Sequence, residues 1–334
     1  MNLHSEPYRR FTLVREMSET PGIISHLNTE RIAETPVRFP TILLTGEGSS
    51  RIFPGKHTVN ASYRHGYQDR LHSETAANCA EFSLTDTSVF VASNSGRTAE
   101  CVRLIKALEA QPGVQTLGVT VHGDSPVATE SEFSYVLTCG VELAVAATKS
   151  VVEQAIFYDV LFRSRNRVAS IDLAALAEAF EQTLAAAVPE EVLRPLVRAP
   201  LIYFAGRNDG VAEELTLKAN EITRKKADFL EGTYAVHGIE EVMEPSEAVV
   251  LLEPFQDDEK KFRSVLEEGI GMPVVALSSR ETLFPTFRIP DAGELQPYLL
   301  FAAGWNLLVE LGISLSVNLD KPRRARKVGH EFSG

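Results

Sequence analysis

The sequence predicts an α/β protein with two parallel-sheet domains, each sheet flanked by helices on both faces in a flavodoxin-like three-layer arrangement. Three observations support this prediction. Short apolar, β-branched segments recur along the 334 residues, and segments with helical periodicity lie between them. The two halves also begin alike, because an apolar strand runs into a glycine-containing loop at Gly46 and again at Gly206, 160 residues later. A duplicated domain would explain this similarity.

The predicted strands are apolar runs of the kind found in a parallel sheet that is covered on both faces. They are Pro40–Gly46, Ser88–Ala92, Thr116–Val121, Phe133–Leu137, Leu201–Ala205, Ala248–Leu252 and Val274–Leu277. Helical patterns between these strands cover 98–110, 149–163, 213–225, 257–269 and 295–311.

The segment 171–188, IDLAALAEAFEQTLAAAV, predicts a linker helix between the two series of strands and helices. Two domains also agree with the chain length, since a single hydrophobic core rarely serves so many residues. The predicted limits are a lead-in helix at 1–30, a first domain at 31–168, the linker helix at 169–190, a second domain at 191–315 and a tail at 316–334 that contributes to the active site.

Composition excludes several classes of partner. The net charge of -12 repels a phosphate backbone, and no Lys/Arg stripe occurs before the short tail at 321–327, so we expect no nucleic-acid partner. Cys79, Cys101 and Cys139 form no CxxC pair and no zinc-type spacing, which predicts reduced, buried thiols and no metal site. The N-terminus lacks an apolar run long enough for a signal peptide or membrane span, which predicts a cytoplasmic protein without a membrane partner.

Two loops have the composition of an anion site. The segment 93–98, SNSGRT, follows a strand and opens a helix, so its hydroxyls, amide and backbone N–H groups lie at the positive end of a helix dipole. A plain helix N-cap explains the same residues equally well. The segment 46–50, GEGSS, repeats the design after the first strand, and it is neither a Walker A motif nor a dinucleotide fingerprint.

Six motifs in one order resemble a known family. They are GEGSS, SNSGRTAE, VELAVAATKS, GRNDGVAEELTLKANEIT, a following HG and DKPRRARK. Together they resemble the double-SIS (sugar isomerase) module of glucosamine-6-phosphate synthase, which also occurs in stand-alone sugar-phosphate isomerases, deaminases and deglycases. The synthase's glutaminase domain has no counterpart in this sequence, so we expect no glutamine-dependent synthesis.

The resemblance implies a set of ligand-binding residues for the sugar phosphate. One departure is Asn94, which stands where a glutamine is common, and another is Ala147, which removes a hydroxyl from the family's V-A-S-T-K segment. The implied ligand-binding residues are Gly48, Ser49, Ser50, Ser93, Asn94, Ser95, Thr98, Val145, Ala146 and Arg323.

Four residues are candidates for catalysis. Lys218 and Glu221 are three residues apart on a predicted helix and share a face, which is also the spacing of an ordinary surface salt pair. The resemblance implies that Glu221 moves a proton between C1 and C2 and that Lys218 helps to hold the open-chain intermediate. It implies that His237 opens the sugar ring, acting from the other subunit of a dimer, although Ile239 replaces the usual proline. Lys327 has the place of the synthase's Schiff-base lysine.

The function expected from these residues is aldose–ketose isomerisation of a sugar phosphate, or deamination of an amino-sugar phosphate such as glucosamine 6-phosphate. Neither reaction is expected to need a cofactor. A deglycase of a glycated amine phosphate is a third reaction that the same residues allow. A non-catalytic sugar-phosphate sensor is the alternative from another class, and a sulfonated sugar would suit the same loops.

Overall fold

The computed structural model describes residue 1 and residues 5–327 and 331–332. The described residues form two compact units. The first unit comprises Gly22–Leu143, Ala147–Ala174 and the described residues from Arg326 onward. The second unit comprises the described residues of Met1–Pro21, with Ala144–Ala146 and Ala175–Ala325. The five segment limits predicted from the sequence remain a proposal.

The first unit is built on a five-stranded parallel sheet with the order β2-β1-β3-β4-β5. Its strands are β1 (Thr41–Gly46), β2 (Arg70–Thr75), β3 (Thr87–Ala92), β4 (Val114–Thr120) and β5 (Phe133–Val136). The second unit repeats this topology with the order β7-β6-β8-β9-β10. Its strands are β6 (Leu201–Gly206), β7 (Lys226–Glu231), β8 (Ala248–Leu252), β9 (Val274–Ser278) and β10 (Thr286–Arg288). The predicted pair of parallel α/β domains is therefore confirmed.

Helices flank both sheets. They are α1 (Thr12–Ser25), α2 (Thr29–Ala33), α3 (Ile52–His65), α4 (Ala76–Cys79), α5 (Ala99–Glu109), α6 (Pro126–Glu130), α7 (Lys149–Arg165), α8 (Leu173–Ala185), α9 (Glu190–Arg198), α10 (Val211–Lys218), α11 (Glu259–Phe262) and α12 (Gln296–Ser314). In the first unit, α7 is buried almost throughout, and Phe157, Tyr158 and Phe162 pack around Phe90 of β3. The three cysteines are buried and free, as predicted.

Three strands were not predicted from the sequence, and all three lie at the edge of a sheet. They are β2, β7 and β10, with the sequences RLHSET, KADFLE and TFR. An edge strand is less covered than a central one, so its sequence carries polar residues and lacks the apolar run by which the central strands were recognised.

The helix predicted at 213–225 was wrong in its C-terminal half. The α-helical hydrogen bonding of α10 ends at Lys218, and one turn of π-helix follows at Ala219–Thr223. Arg224 then adopts a left-handed conformation with φ of 59°, which ends the helical segment just before β7. π-turns are frequent at functional sites, and this one contains Glu221.

The helix α12 fixes the position of α10 in the second unit. A Cβ atom on Gly304 would lie 2.3 Å from a side-chain carbon of Leu215, so only glycine lets the two helices approach this closely. By length and composition alone, 293–314 could cross a membrane, but 83% of its apolar window is buried inside the protein. Its apolar residues therefore form the core of this unit.

Candidate active site

The loop between β3 and α5 is shaped around two hydroxyl groups. The Oγ atom of Ser93 and the Oγ1 atom of Thr98 lie 2.8 Å apart. Thr98 occupies the N-cap position of α5, but its side chain makes no capping hydrogen bond. The residue thus stands at the helix N-terminus while its hydroxyl faces Ser93, so its side chain does not act as an ordinary N-cap.

Gly96 is required at the tip of this loop. Its φ of +65° is in the left-handed region, and a Cβ atom there would lie 1.9 Å from the Oγ atom of Ser125. The carbonyl of Gly96 also accepts a hydrogen bond from the N–H of Val127, at 3.1 Å. Backbone and side-chain packing together hold the loop in one conformation.

Glu142 is the buried charge that organises the surroundings of this loop. Its carboxylate accepts hydrogen bonds from the Thr148 N–H at 2.7 Å, the Ser150 Oγ atom at 2.5 Å and the Asn94 Nδ2 atom at 3.2 Å. Lys327 completes the set, with its Nζ atom 3.7 Å from a Glu142 oxygen. Burial acts to raise the pKa of Glu142, but the Lys327 charge and these hydrogen bonds outweigh it and hold the pKa below its ordinary value.

The sequence prediction missed Glu142, although the residue stands in the VELAVAATKS motif. The available signal was a carboxylate a few residues before a Thr-Lys-Ser segment at a helix start. An acidic residue in a loop ordinarily lies in solvent, whereas Glu142 is only 3% exposed. Its partners from three separate segments became visible only in the tertiary structure.

The loop after β1 contains the second predicted set of ligand-binding residues. Gly48–Ser50 form one turn of 3₁₀-helix, and Gly48 has a φ of 54°. The carbonyl oxygen of Ser50 accepts a hydrogen bond from the Gln154 Nε2 atom at 2.8 Å, so α7 supports this loop. Val145 and Ala146, by contrast, group with the second unit.

The second unit holds a buried lysine between two carboxylates. The Lys218 Nζ atom lies 2.9 Å from Glu221 Oε2 and 3.2 Å from Glu214 Oε1. Lys218 has no exposed surface, so the exposed surface pair that the spacing also allowed is not what forms here. Burial lowers the pKa of Lys218, but the charges and hydrogen bonds of Glu221 and Glu214 more than offset this and raise it to about 12.

Glu221 is the one member of this trio that reaches the surface of a cleft. Its side chain is 21% exposed, whereas those of Lys218 and Glu214 are fully buried. The π-turn displaces Glu221 from a regular helical position, while Lys218 fixes one of its oxygens. Sequence reasoning missed Glu214, although it stands four residues before Lys218 on the same helical face.

The cleft beside Glu221 has a volume of about 400 Å³. Its lining residues are Asn220, Glu221, Arg224, Lys225, Lys226, Pro322, Arg323, Arg324 and Ala325. The guanidinium group of Arg224 donates to the carbonyls of Asn318 and Lys321, at 2.7 and 2.8 Å, and so holds the C-terminal segment against the turn that carries Glu221. Arg323 therefore shares a cleft with Glu221.

His237 lies in an exposed turn with a different neighbour. Its Nε2 atom is 3.3 Å from the Nζ atom of Lys261, and the following Gly238 has a φ of 112°.

The predicted site residues fall into two groups. Lys218, Glu221 and Arg323 lie together in the second unit, and Ser93, Asn94, Thr98 and Lys327 lie together in the first. The roles predicted for all of these residues remain proposals.

Comparison with known proteins identifies a SIS domain in the chain. Residues 67–164 match the model of the SIS domain. A curated glutamine–fructose-6-phosphate aminotransferase from Halobacterium salinarum is 28% identical over 267 residues, which cover 72% of this chain and 43% of that protein. The chain therefore spans less than half the length of this relative.

Solved structures share the whole fold. A tagatose-6-phosphate ketose/aldose isomerase from Escherichia coli superimposes with a TM-score of 0.78 at 16% identity, over 96% of this chain and 99% of that one. A glucosamine-6-phosphate deaminase from Thermotoga maritima gives a TM-score of 0.72 at 18% identity, over 95% and 99% of the two chains. Fold and sequence match define a SIS-domain protein. The chain contains a SIS domain at residues 67–164 and is similar in sequence to part of the aminotransferase.

Proposed function

We propose that this protein is an enzyme that moves a proton between C1 and C2 of a sugar phosphate, either as an aldose–ketose isomerase or as an amino-sugar-phosphate deaminase. The observation that carries the proposal is the Glu221 carboxylate, which lines a cleft while the buried Lys218 holds it at 2.9 Å. A fixed, partly exposed carboxylate is a suitable general base for a carbon acid next to a carbonyl or imine.

Each step of the reaction has a proposed group. His237 opens the sugar ring, Glu221 removes the C2 proton and returns it to C1, and Arg323 supports the developing oxyanion. Lys218 acts by positioning Glu221, since its ammonium group is buried between two carboxylates. With an amino-sugar substrate, proton transfer yields an imine at C2, which one water molecule hydrolyses to a ketose phosphate and ammonium.

The first unit supplies the phosphate site in this proposal. The phosphate dianion binds to N–H groups at the start of α5 and to the amide of Asn94. It also binds to four hydroxyl groups, those of Ser50, Ser93, Ser95 and Thr98. Lys327 is an ammonium paired with Glu142, so it serves as an electrostatic group. Imine formation at Lys327 would first require it to leave that pair and lose its proton.

The decisive experiment separates the two reactions and tests the base. The full chain is incubated with glucosamine 6-phosphate, and with fructose 6-phosphate in D₂O, while ammonia, ketose phosphate and deuterium at C1 and C2 are followed. Glu221→Gln should lower turnover by about 100-fold or more, whereas the control Glu213→Gln on the same helix should not. Ammonia identifies the deaminase, and deuterium without ammonia identifies the isomerase.

One outcome would overturn the enzyme assignment. If the wild-type protein binds these sugar phosphates, turns none of them over, and binds them equally well as the Glu221→Gln variant, the protein is a sensor. The similarity in fold to an isomerase and to a deaminase supports the enzyme reading.

A further inference from the structure

The edge strand β2 has backbone hydrogen-bonding groups that point away from its sheet. β2 pairs with β1 on one side only, and on that side the Arg70 N–H donates to the Pro40 carbonyl at 2.8 Å. Backbone groups alternate in direction along a strand, so the N–H and C=O groups of Leu71 and Ser73 lie on the outer side. No described residue accepts a hydrogen bond from either of these two N–H groups. An edge of this kind is a template for a further strand.

The edge strand β7 in the other unit also has six residues, but its outer side is already occupied. The N–H of Ala227 donates to the Asn220 Oδ1 atom at 3.2 Å, and the N–H of Phe229 donates to the Asp228 Oδ1 atom at 2.8 Å. These side chains satisfy the donors through which another strand would bind. Within the described part of the chain, the middle residues of β2 have no such side-chain partner, so β2 is the more open edge.

Open space and exposed aromatic side chains lie along the same edge. A cavity of about 400 Å³ is lined by Leu71–Glu74 of β2. Tyr63 of α3 and Phe82, which follows α4, also line this cavity, and they are 77% and 41% exposed. Aromatic residues are enriched at protein–protein interfaces, where a partner covers their rings. A strand bound beside β2 would cover these two aromatic side chains.

The charges of β2 are complementary to those of a second, antiparallel copy of β2. Arg70, His72 and Glu74 alternate with Leu71 and Ser73, so they lie on one face of the strand. A two-fold axis at His72 would place Arg70 of each chain opposite Glu74 of the other, and the outward backbone groups of Leu71 opposite those of Ser73. Neither Arg70 nor Glu74 forms an ion pair with another described residue. An in-register parallel pairing would instead place like charges together.

We propose that β2 is an interface for a second copy of this chain, in which the two β2 strands pair antiparallel about His72. The two five-stranded sheets then form one continuous sheet. The partner is the same chain because its own β2 carries the matching charges at the matching spacing. This contact lies in the first unit, whereas His237 lies in the second, so it is separate from the dimer expected through His237. It does not depend on the proposed reaction.

Disulfide trapping on the full chain tests this pairing and its register. His72→Cys should give a cross-linked dimer on mild oxidation, because residues at the two-fold axis face each other at a Cα separation of about 4.5 Å, which a disulfide spans. Arg70→Cys is the matched control, since this position is also exposed but lies opposite Glu74 and should not cross-link alone. Mixed with Glu74→Cys, it should cross-link. The three native cysteines are buried and should not take part.

Charge exchange in the His72→Cys background tests the complementarity. Adding Arg70→Glu, or adding Glu74→Arg, places like charges opposite each other and should slow cross-linking at least about tenfold. A one-to-one mixture of these two variants should restore a rate close to that of His72→Cys, because each chain supplies the charge that the other lacks. A merely structural effect of either substitution would not be restored by mixing.

Three results would overturn the inference. They are equal cross-linking of His72→Cys and Arg70→Cys, no cross-linking of His72→Cys, and a mixture of the charge variants that stays as slow as its components. None of these results bears on the proposed function, which is measured separately by turnover of sugar phosphates. Likewise, a protein that turns over no sugar phosphate would still show the cross-linking pattern if β2 pairs as proposed.

Discussion

The Nζ atom of Lys218 lies 2.9 Å from a carboxylate oxygen of Glu221, across the junction between α10 and the π-turn that follows it. Glu214 approaches the same ammonium group at 3.2 Å. One cation thus pairs with two carboxylates in a place where Lys218 and Glu214 have no exposed surface. Lys218 thus holds the partly exposed carboxylate of Glu221 at the wall of a cleft. The same ion pair contributes to the stability of the second unit and positions the proposed base.

Lys218→Met should destabilise the protein by about 3–5 kcal/mol, because it removes the ammonium group that faces the fully buried carboxylate of Glu214 and the partly exposed carboxylate of Glu221. Urea unfolding followed by fluorescence would measure the loss. Glu214→Gln is the matched control and should cost less, since Lys218 keeps Glu221 as its partner. A Lys218→Met variant as stable as the wild type would contradict this account.

The same trio predicts a response to high pH. The folded pKa of Lys218 is raised to about 12, so its contribution to stability is complete below the unfolded value of about 10.4 and is lost as the pH rises toward 12. The melting temperature of the wild type should therefore fall more steeply between pH 10 and 12 than that of Lys218→Met. If the melting temperatures of the two proteins fell in parallel over this pH range, the charge on Lys218 would not contribute to the stability of the fold.

Glu142→Gln should destabilise the first unit by about 1–3 kcal/mol, because the neutral amide loses the Lys327 charge and most of the hydrogen bonds that Glu142 accepts. The folded pKa of Glu142 lies below its ordinary value of 4.5, so this stability is present above that pH and is lost as the pH falls through the folded pKa. The difference in the free energy of unfolding between the wild type and Glu142→Gln should therefore disappear at acidic pH. The exposed Glu81→Gln is the control. A difference in stability that did not change with pH would show that the charge of Glu142 is not the source of the stability.

Gly96→Ala should lower both the free energy of unfolding and the affinity for sugar phosphate, since the new Cβ would meet the Ser125 side chain at 1.9 Å. Gly140→Ala is a matched control, because Gly140 also has a positive φ, +72°, but nothing within 4 Å of its new Cβ. The control should lose only about 1 kcal/mol to backbone strain. Equal losses of unfolding free energy in the two variants would show that the 93–98 loop moves readily to accommodate the new Cβ atom.

Mixing two inactive variants tests the proposed shared dimer. If His237 of one subunit serves the Glu221 of the other, a dimer of Glu221→Gln with His237→Asn contains one site with both residues intact. Random subunit exchange should then restore roughly a quarter of wild-type activity. Each variant alone should stay inactive. A mixture that stays inactive after proven exchange would place both residues in the same subunit's site.

The sequence by itself determined the central strands, suggested a duplicated domain and indicated a resemblance to SIS-domain proteins. Apolar β-branched runs such as those ending at Gly46 and Gly206 predicted the central strands, because the middle of a covered parallel sheet demands them. The order of short motifs indicated the resemblance and pointed to Glu221 and the 93–98 loop.

The tertiary structure decided what local patterns do not contain. The polar edge strands β2, β7 and β10 form only because a neighbouring strand accepts their hydrogen bonds. The π-turn at Glu221 lies between α10, which packs against α12, and the left-handed Arg224, and the sequence pattern does not distinguish it from a regular helix. The buried set around Glu142 and the cationic cleft bring together residues distant in sequence, and the energies of such charges depend on burial and partners, which sequence spacing does not specify.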